Sequence, residues 1–101
     1  MKKVFILLIT LLMVNGGWAQ SCLPNGITFS SQYEIDNFQT NYPNCTQIEG
    51  DVTISGSDIT NLNGLYDVTS FGGDLIIQYN PDLPNLTGLD YVQFIGGNLV
   101  I

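Results

Sequence analysis

The feature that most limits what this chain can fold into is a repeat that fills its second half. The segment IEGDVTISGSDITNLNGLYDVTSF, from Ile48, lines up with FGGDLIIQYNPDLPNLTGLDYVQFI, from Phe71, and with IGGNLVI, from Ile95. Gly50, Gly73 and Gly97 coincide, as do Asp51, Asp74 and Asn98, and so do the apolar pairs Val52 and Ile54, Leu75 and Ile77, Leu99 and Ile101. Downstream, Ile59, Leu62, Gly64, Leu65, Val68 and Phe71 recur 24 residues later as Leu83, Leu86, Gly88, Leu89, Val92 and Ile95. The first unit is one residue shorter between its strand and its coil. A period of roughly 20–30 residues marks stacked units, each of which buries its apolar side only against its neighbours.

Two spacings inside each unit say how it is built. From Asp51 to Ser55 apolar and polar residues alternate, so Val52 and Ile54 point inward while Asp51, Thr53 and Ser55 point out, as on a strand. From Ile59 to Phe71 the apolar residues come at every third position. On an α-helix that spacing would drift off the face by about 60° per step, and Asn61, Asn63 and Gly64 are poor helix formers. The expectation is a short strand followed by an irregular return path, with stacked units forming one parallel sheet. The fold class is therefore read as mainly β: a right-handed β-helix or leucine-rich-repeat-like solenoid with a short N-terminal capping helix.

The cap is read from TFSSQYEIDNFQTNYPNC. Ser31 with Glu34 makes a capping box, Ile35, Phe38 and Tyr42 share a helical face, and Pro43 with Asn44 ends the element. One helix of about three turns with a single apolar stripe must cover something, and here it would cover the repeats.

The N-terminus carries an export signature. Lys2 and Lys3 precede an apolar run from Val4 to Val14, followed by Asn15, Gly16, Gly17, Trp18 and Ala19. This is the order of a secretory signal peptide, cut after Ala19. The run is shorter than the roughly 20 residues of a membrane span, and no aliphatic residue stands three positions before Cys22, as a lipoprotein signal would place it. In an exported chain Cys22 and Cys45 are expected to pair as a disulfide, because there is no CxxC spacing and no histidine to complete a metal site.

Both lysines leave with the signal. Gln20 to Ile101 carry nine Asp or Glu and no Lys, Arg or His. Such a surface repels phosphate backbones and anionic lipid, so neither nucleic acid nor electrostatic membrane binding is expected. No membrane span is expected in the mature chain. It also lacks a Ser/His or Cys/His nucleophile pair, a Schiff-base lysine and an arginine clamp. Carboxylate pairs such as Asp51 with Asp74, or Asp58 with Asp82, sit at repeat-equivalent positions, where nothing separates an acid from a base. No enzyme activity, cofactor or metal is expected. The column Asp51, Asp74 and Asn98 admits two readings: calcium ligands, or side chains that bond the backbone of the Gly-Gly turn before them. Asn44-Cys45-Thr46 and Asn85-Leu86-Thr87 fit the N-glycosylation sequon, whose use depends on the host.

The succession CLPNGITF, capped helix, NYPNC, then IEGDVTISGSDITNLNGL and FGGDLIIQYNPDLPNLTGL resembles the receptor L domain, the leucine-rich β-helical module of insulin-receptor and epidermal-growth-factor-receptor ectodomains. In that family a cysteine, a short helix and a second cysteine lead into the first G(N/D)LxI strand, as Cys22, Cys45 and Gly50 to Ile54 do here. The glycine-rich form with an MKK signal looks most like bacterial cell-surface proteins carrying such repeats. The organisation implied is a signal peptide over 1–19, a cap with helix and disulfide over 20–47, and L-domain-like repeats over 48–101. The last of these comprises two coils and the first strand of a third.

The resemblance implies a secreted or cell-surface binding or adhesion module whose partner is a protein or a glycan. A structural spacer within a larger surface protein is the alternative. The candidate partner-binding residues are Thr53, Ile76 and Val100, which face outward on the strands, and Tyr79, at a strand exit before Asn80 and Pro81. Because IGGNLVI matches only the opening of a repeat, the chain reads as a fragment. It is expected either to be marginally stable or to self-associate through the open edge of its last strand.

Overall fold

A computed structural model of the protein describes residues 20–101; the signal peptide expected over 1–19 lies outside the described residues. The strands are β1 (Gln20–Cys22), β2 (Ile27–Phe29), β3 (Cys45–Ile48), β4 (Val52–Ile54), β5 (Ser70–Phe71), β6 (Leu75–Ile77), β7 (Phe94–Ile95) and β8 (Leu99–Val100). Two short helices, α1 (Gln32–Asp36) and α2 (Phe38–Asn41), lie between β2 and β3, and a 3-10 turn covers Asn63–Leu65.

These elements correct the expected fold. In place of a right-handed β-helix or leucine-rich-repeat-like solenoid with one sheet and one capping helix, the described chain forms two parallel sheets of four strands each, β1-β3-β5-β7 and β2-β4-β6-β8. The β1-β3-β5-β7 sheet was hidden because its strands show no apolar-polar alternation: β3 buries its two ends, Cys45 and Ile48, and β5 and β7 are two residues each. Phe71 and Ile95 look like the last steps of a three-residue rhythm. Their backbones instead join a ladder, in which Thr69 N–H donates to Thr46 O at 2.8 Å, Gly72 N–H to Ile48 O at 2.7 Å and Gly96 N–H to Phe71 O at 2.7 Å. Each unit gives one strand to each sheet and turns the corner at its glycines. Gly50 is required there, because a Cβ on it would strike the Gly26 backbone, and a Cβ on Gly73 would displace the Asp51 carboxylate.

The segment 20–47 also differs from a simple cap. It supplies β1 and β2, and Ile27, Thr28 and Phe29 stand in register with Val52, Thr53 and Ile54. Its single expected helix is two. Ser31 caps α1 by accepting from Glu34 N–H at 3.2 Å, but the Glu34 carboxylate turns to Ser30 N–H, at 2.7 Å, instead of completing the box at Ser31. The break falls at Asn37, whose backbone N–H and side-chain Nδ2 both donate to Tyr33 O, at 3.0 and 2.8 Å. An Asn side chain that competes for a helical carbonyl ends regular winding. The helices take the place held by the return path in later units: a Cβ on Gly64 would meet the Ile35 carbonyl of α1, and one on Gly88 the Leu62 carbonyl.

Between the sheets lies one apolar core. Phe29, Ile35, Phe38, Ile48, Val52, Ile54, Ile59, Leu62, Leu65, Val68, Phe71, Leu75 and Ile77 are buried, and no polar or charged residue among the described ones is. Phe29 and Phe38 meet edge to face, with ring centroids 5.6 Å apart. The return path turns each third side chain inward through short backbone bonds: Ile59 N–H to Gly56 O, Leu65 N–H to Leu62 O and Val68 N–H to Leu65 O. The next unit repeats them as Leu83 to Asn80, Leu89 to Leu86 and Val92 to Leu89. There the inward residues are only partly buried, and Leu99 and Ile101 are exposed.

Candidate functional site

Three of the four candidate residues come together and the fourth does not. Thr53, Ile76 and Val100 occupy consecutive registered positions on β4, β6 and β8, facing outward between inward pairs such as Val52 and Ile54. Thr53 and Ile76 are half-buried and Val100 is 45% exposed. The column has a fourth member that the sequence reading missed, Thr28, exposed on β2 and paired with Thr53. Its signal was present only in part: Ile27 and Phe29 repeat the alternating pair Val52 and Ile54, 25 residues earlier, but in that register Gly26 falls opposite Asp51 and not Gly50.

The acidic column beside it is a fastener. Asp51 Oδ1 accepts from Asp74 N–H at 2.8 Å, and Asp74 Oδ1 accepts from Asn98 N–H at 2.7 Å. Each carboxylate thus bonds the equivalent residue one unit on, not the turn before it. No group of three or more His, Cys, Asp or Glu side chains is gathered for a metal ion among the described residues. Asp58 lies elsewhere, beside Gln32 N–H at 3.3 Å. Gln32 also ties α1 to the return path, its Oε1 accepting from Thr60 N–H at 2.8 Å and Asn61 N–H at 3.1 Å.

Tyr79 occupies a different surface. The one-residue insertion after β6 is absorbed by putting Tyr79 at φ +58°. That conformation is uncommon for a bulky L-residue. It turns the ring out to 79% exposure. Asn80 then reaches back one unit, donating from Nδ2 to Ile54 O at 2.9 Å and accepting at Oδ1 from Gly56 N–H at 2.8 Å. Tyr79 with Gln78, Asn80, Pro84 and Asn85 borders an open cleft of about 450 Å³, whose apolar lining is Ile77, Leu83, Leu86 and Ile101. None of Thr53, Ile76 or Val100 lines it. Asn80 and Asn85 were not singled out from sequence, although the extra residue between the units marks where the loop had to change.

Cys22 and Cys45 are joined in a disulfide, with Cα atoms 5.7 Å apart, across the β1–β3 pair. An intramolecular disulfide is compatible with an extracellular location. No helix among the described residues is long and apolar enough to cross a membrane. No family model, curated protein or solved structure matches the chain.

Proposed function

We propose that this protein is a non-catalytic binding module, exported and working in the secreted or cell-surface setting, that meets a protein or glycan through the outward face of β2-β4-β6-β8. The observation that carries this reading is the column Thr28, Thr53, Ile76 and Val100: four β-branched residues in register on one outward face, none of them fully buried. Its change from threonine to isoleucine and valine leaves apolar area on a face that needs none for its own packing. The kinship to receptor L domains, drawn from the order of residues alone, belongs to the same proposal. So do cleavage of residues 1–19, a boundary at 47/48 with 20–47 contributing β1 and β2 beside its capping helices, and the absence of nucleic acid among the partners, for which the acidic composition speaks. Self-association along β8 is a further part of it, favoured by the exposure of Leu99, Val100 and Ile101 at 50%, 45% and 74%.

The test is a glycan array and a surface-protein pull-down with the full chain, repeated with Ile76→Thr and Val100→Thr, which keep the strand shape and remove the apolar area. A ligand retained by the native chain and lost by these variants is expected. Retention of nothing by the native chain refutes the module and leaves the structural spacer.

A further inference from the structure

We propose that the cleft beside Tyr79 is a subsite for a neutral saccharide, with the Tyr79 ring as stacking platform and the amides of Gln78 and Asn85 as hydroxyl-binding groups. This rests on the binding-module reading and names a ligand class and a place that the outward column does not share. The ring is exposed at the cost of a strained backbone, φ +58°, and has no ring partner among the described residues. Nothing in the packing of the core uses it. Strain of this kind persists where neighbouring contacts over-determine it, and here the two Asn80 bonds to Ile54 and Gly56 fix the loop on the unit before. The backbone that carries the platform is therefore held in place, so little backbone freedom is lost when a ligand settles on the ring.

The polar groups around the ring suit hydroxyls. Asn85 Oδ1 accepts from Thr87 N–H at 3.0 Å, which holds its amide in place and leaves Nδ2 to donate. The Gln78 side chain is exposed and has no partner among the described residues, while its backbone N–H is bonded to Ile54 O at 3.0 Å. An amide gives both a donor and an acceptor, which is what a sugar hydroxyl pair asks for. An aromatic face takes the C–H side of a pyranose ring. At about 450 Å³ the cleft is within the roughly 300–1,000 Å³ of ordinary small-molecule sites. Charge selects among sugars: no Lys, Arg or His lies in Gln20 to Ile101, and Asp82 stands in the same loop. Uronates, sialic acids and phosphosugars would meet no counter-charge and a nearby carboxylate, so the ligand is uncharged.

The experiment is an amide NMR titration of the full chain with neutral gluco- and manno-oligosaccharides and, separately, with oligogalacturonate. Shifts confined to the 77–86 segment and Ile101 with a neutral probe, and none with the acidic one, are expected. Tyr79→Asn suits the left-handed backbone and removes the ring, so it should weaken binding about tenfold or more while the thermal midpoint holds or rises. Tyr91→Ala, at a tyrosine that is 63% exposed outside the cleft, should leave affinity unchanged. An unchanged affinity in Tyr79→Asn overturns the subsite, as does equal binding of oligogalacturonate or the absence of any response to neutral probes. Neutral probes that shift Thr53, Ile76 and Val100 instead overturn the subsite but leave the module standing. If the outward column also retains no ligand in the array and pull-down, the module fails with it.

Discussion

Replacing Asn80 with alanine tests how the inserted loop is held. Two bonds are lost, but they are not equal. The Ile54 carbonyl keeps a second donor, Gln78 N–H at 3.0 Å, so it forfeits only the bond from Asn80 Nδ2, a net loss of about 0.5–1 kcal/mol. Gly56 is buried and Asn80 Oδ1 is the acceptor of its N–H, so truncation strands a buried donor at a cost of about 1–3 kcal/mol. Relief of the Tyr79 strain offsets part of this, which leaves about 1–3 kcal/mol. In a domain of this size that lowers the thermal midpoint by about 5–20 °C, read by circular dichroism melting and urea unfolding. Asn80→Asp sharpens the test. It keeps the acceptor for Gly56 but sets a carboxylate without a proton against the Ile54 carbonyl, so it should be destabilised at neutral pH. Relative to the native chain its deficit should narrow in acid, where the protonated carboxyl can donate again. Asn80→Ala within about 0.5 kcal/mol of the native protein, the range of a featureless surface change, would refute the account of the loop.

Other outcomes follow from the same packing. Phe71→Ala, at a fully buried site, should cost about 3–5 kcal/mol in urea titration, whereas Phe94→Ala, 60% exposed on the neighbouring strand of that sheet, should stay within about 0.5 kcal/mol. Gly73→Ala drives a Cβ into the Asp51 carboxylate, so the unfolding free energies of Gly73→Ala, Asp51→Ala and the double variant should be non-additive, the glycine change costing less once the carboxylate is gone. Strict additivity would remove the proposed contact. Cutting the disulfide with Cys22→Ser plus Cys45→Ser opens a loop with a sequence separation of 23 and should cost about 3 kcal/mol in the chain-entropy model, checked by melting the native chain with and without reductant.

The core was legible because burial leaves a periodic trace. The alternating pairs Val52 and Ile54, Leu75 and Ile77, and the three-residue series from Ile59 to Val68 are all inside, and the Cys22–Cys45 bridge could be read from the two cysteines of a chain expected to be exported. Less of the candidate site could be read. Outward residues follow from strand parity, so Thr53, Ile76 and Val100 were found, but Thr28 was hidden inside a segment that looked like a cap. The Tyr79 cleft depends on Asn80 bonding 24 and 26 residues back, and neither composition nor period encodes such a reach.

By itself the sequence determined which residues face the core and that successive units align, because hydrophobic spacing and the recurrence of glycine and Asp or Asn are properties of neighbours along the chain. Only the tertiary structure decided that these units build two parallel sheets instead of one. The strands of the β1-β3-β5-β7 sheet carry no alternating pair, and what makes them strands is the backbone partner one unit away. The same holds for the first unit, where β1 and β2 became strands through β3 and β4, and for the helix that Asn37 broke by bonding Tyr33. Backbone donors and acceptors must be satisfied wherever they are buried. The sequence lists them, but only the fold says with whom they pair.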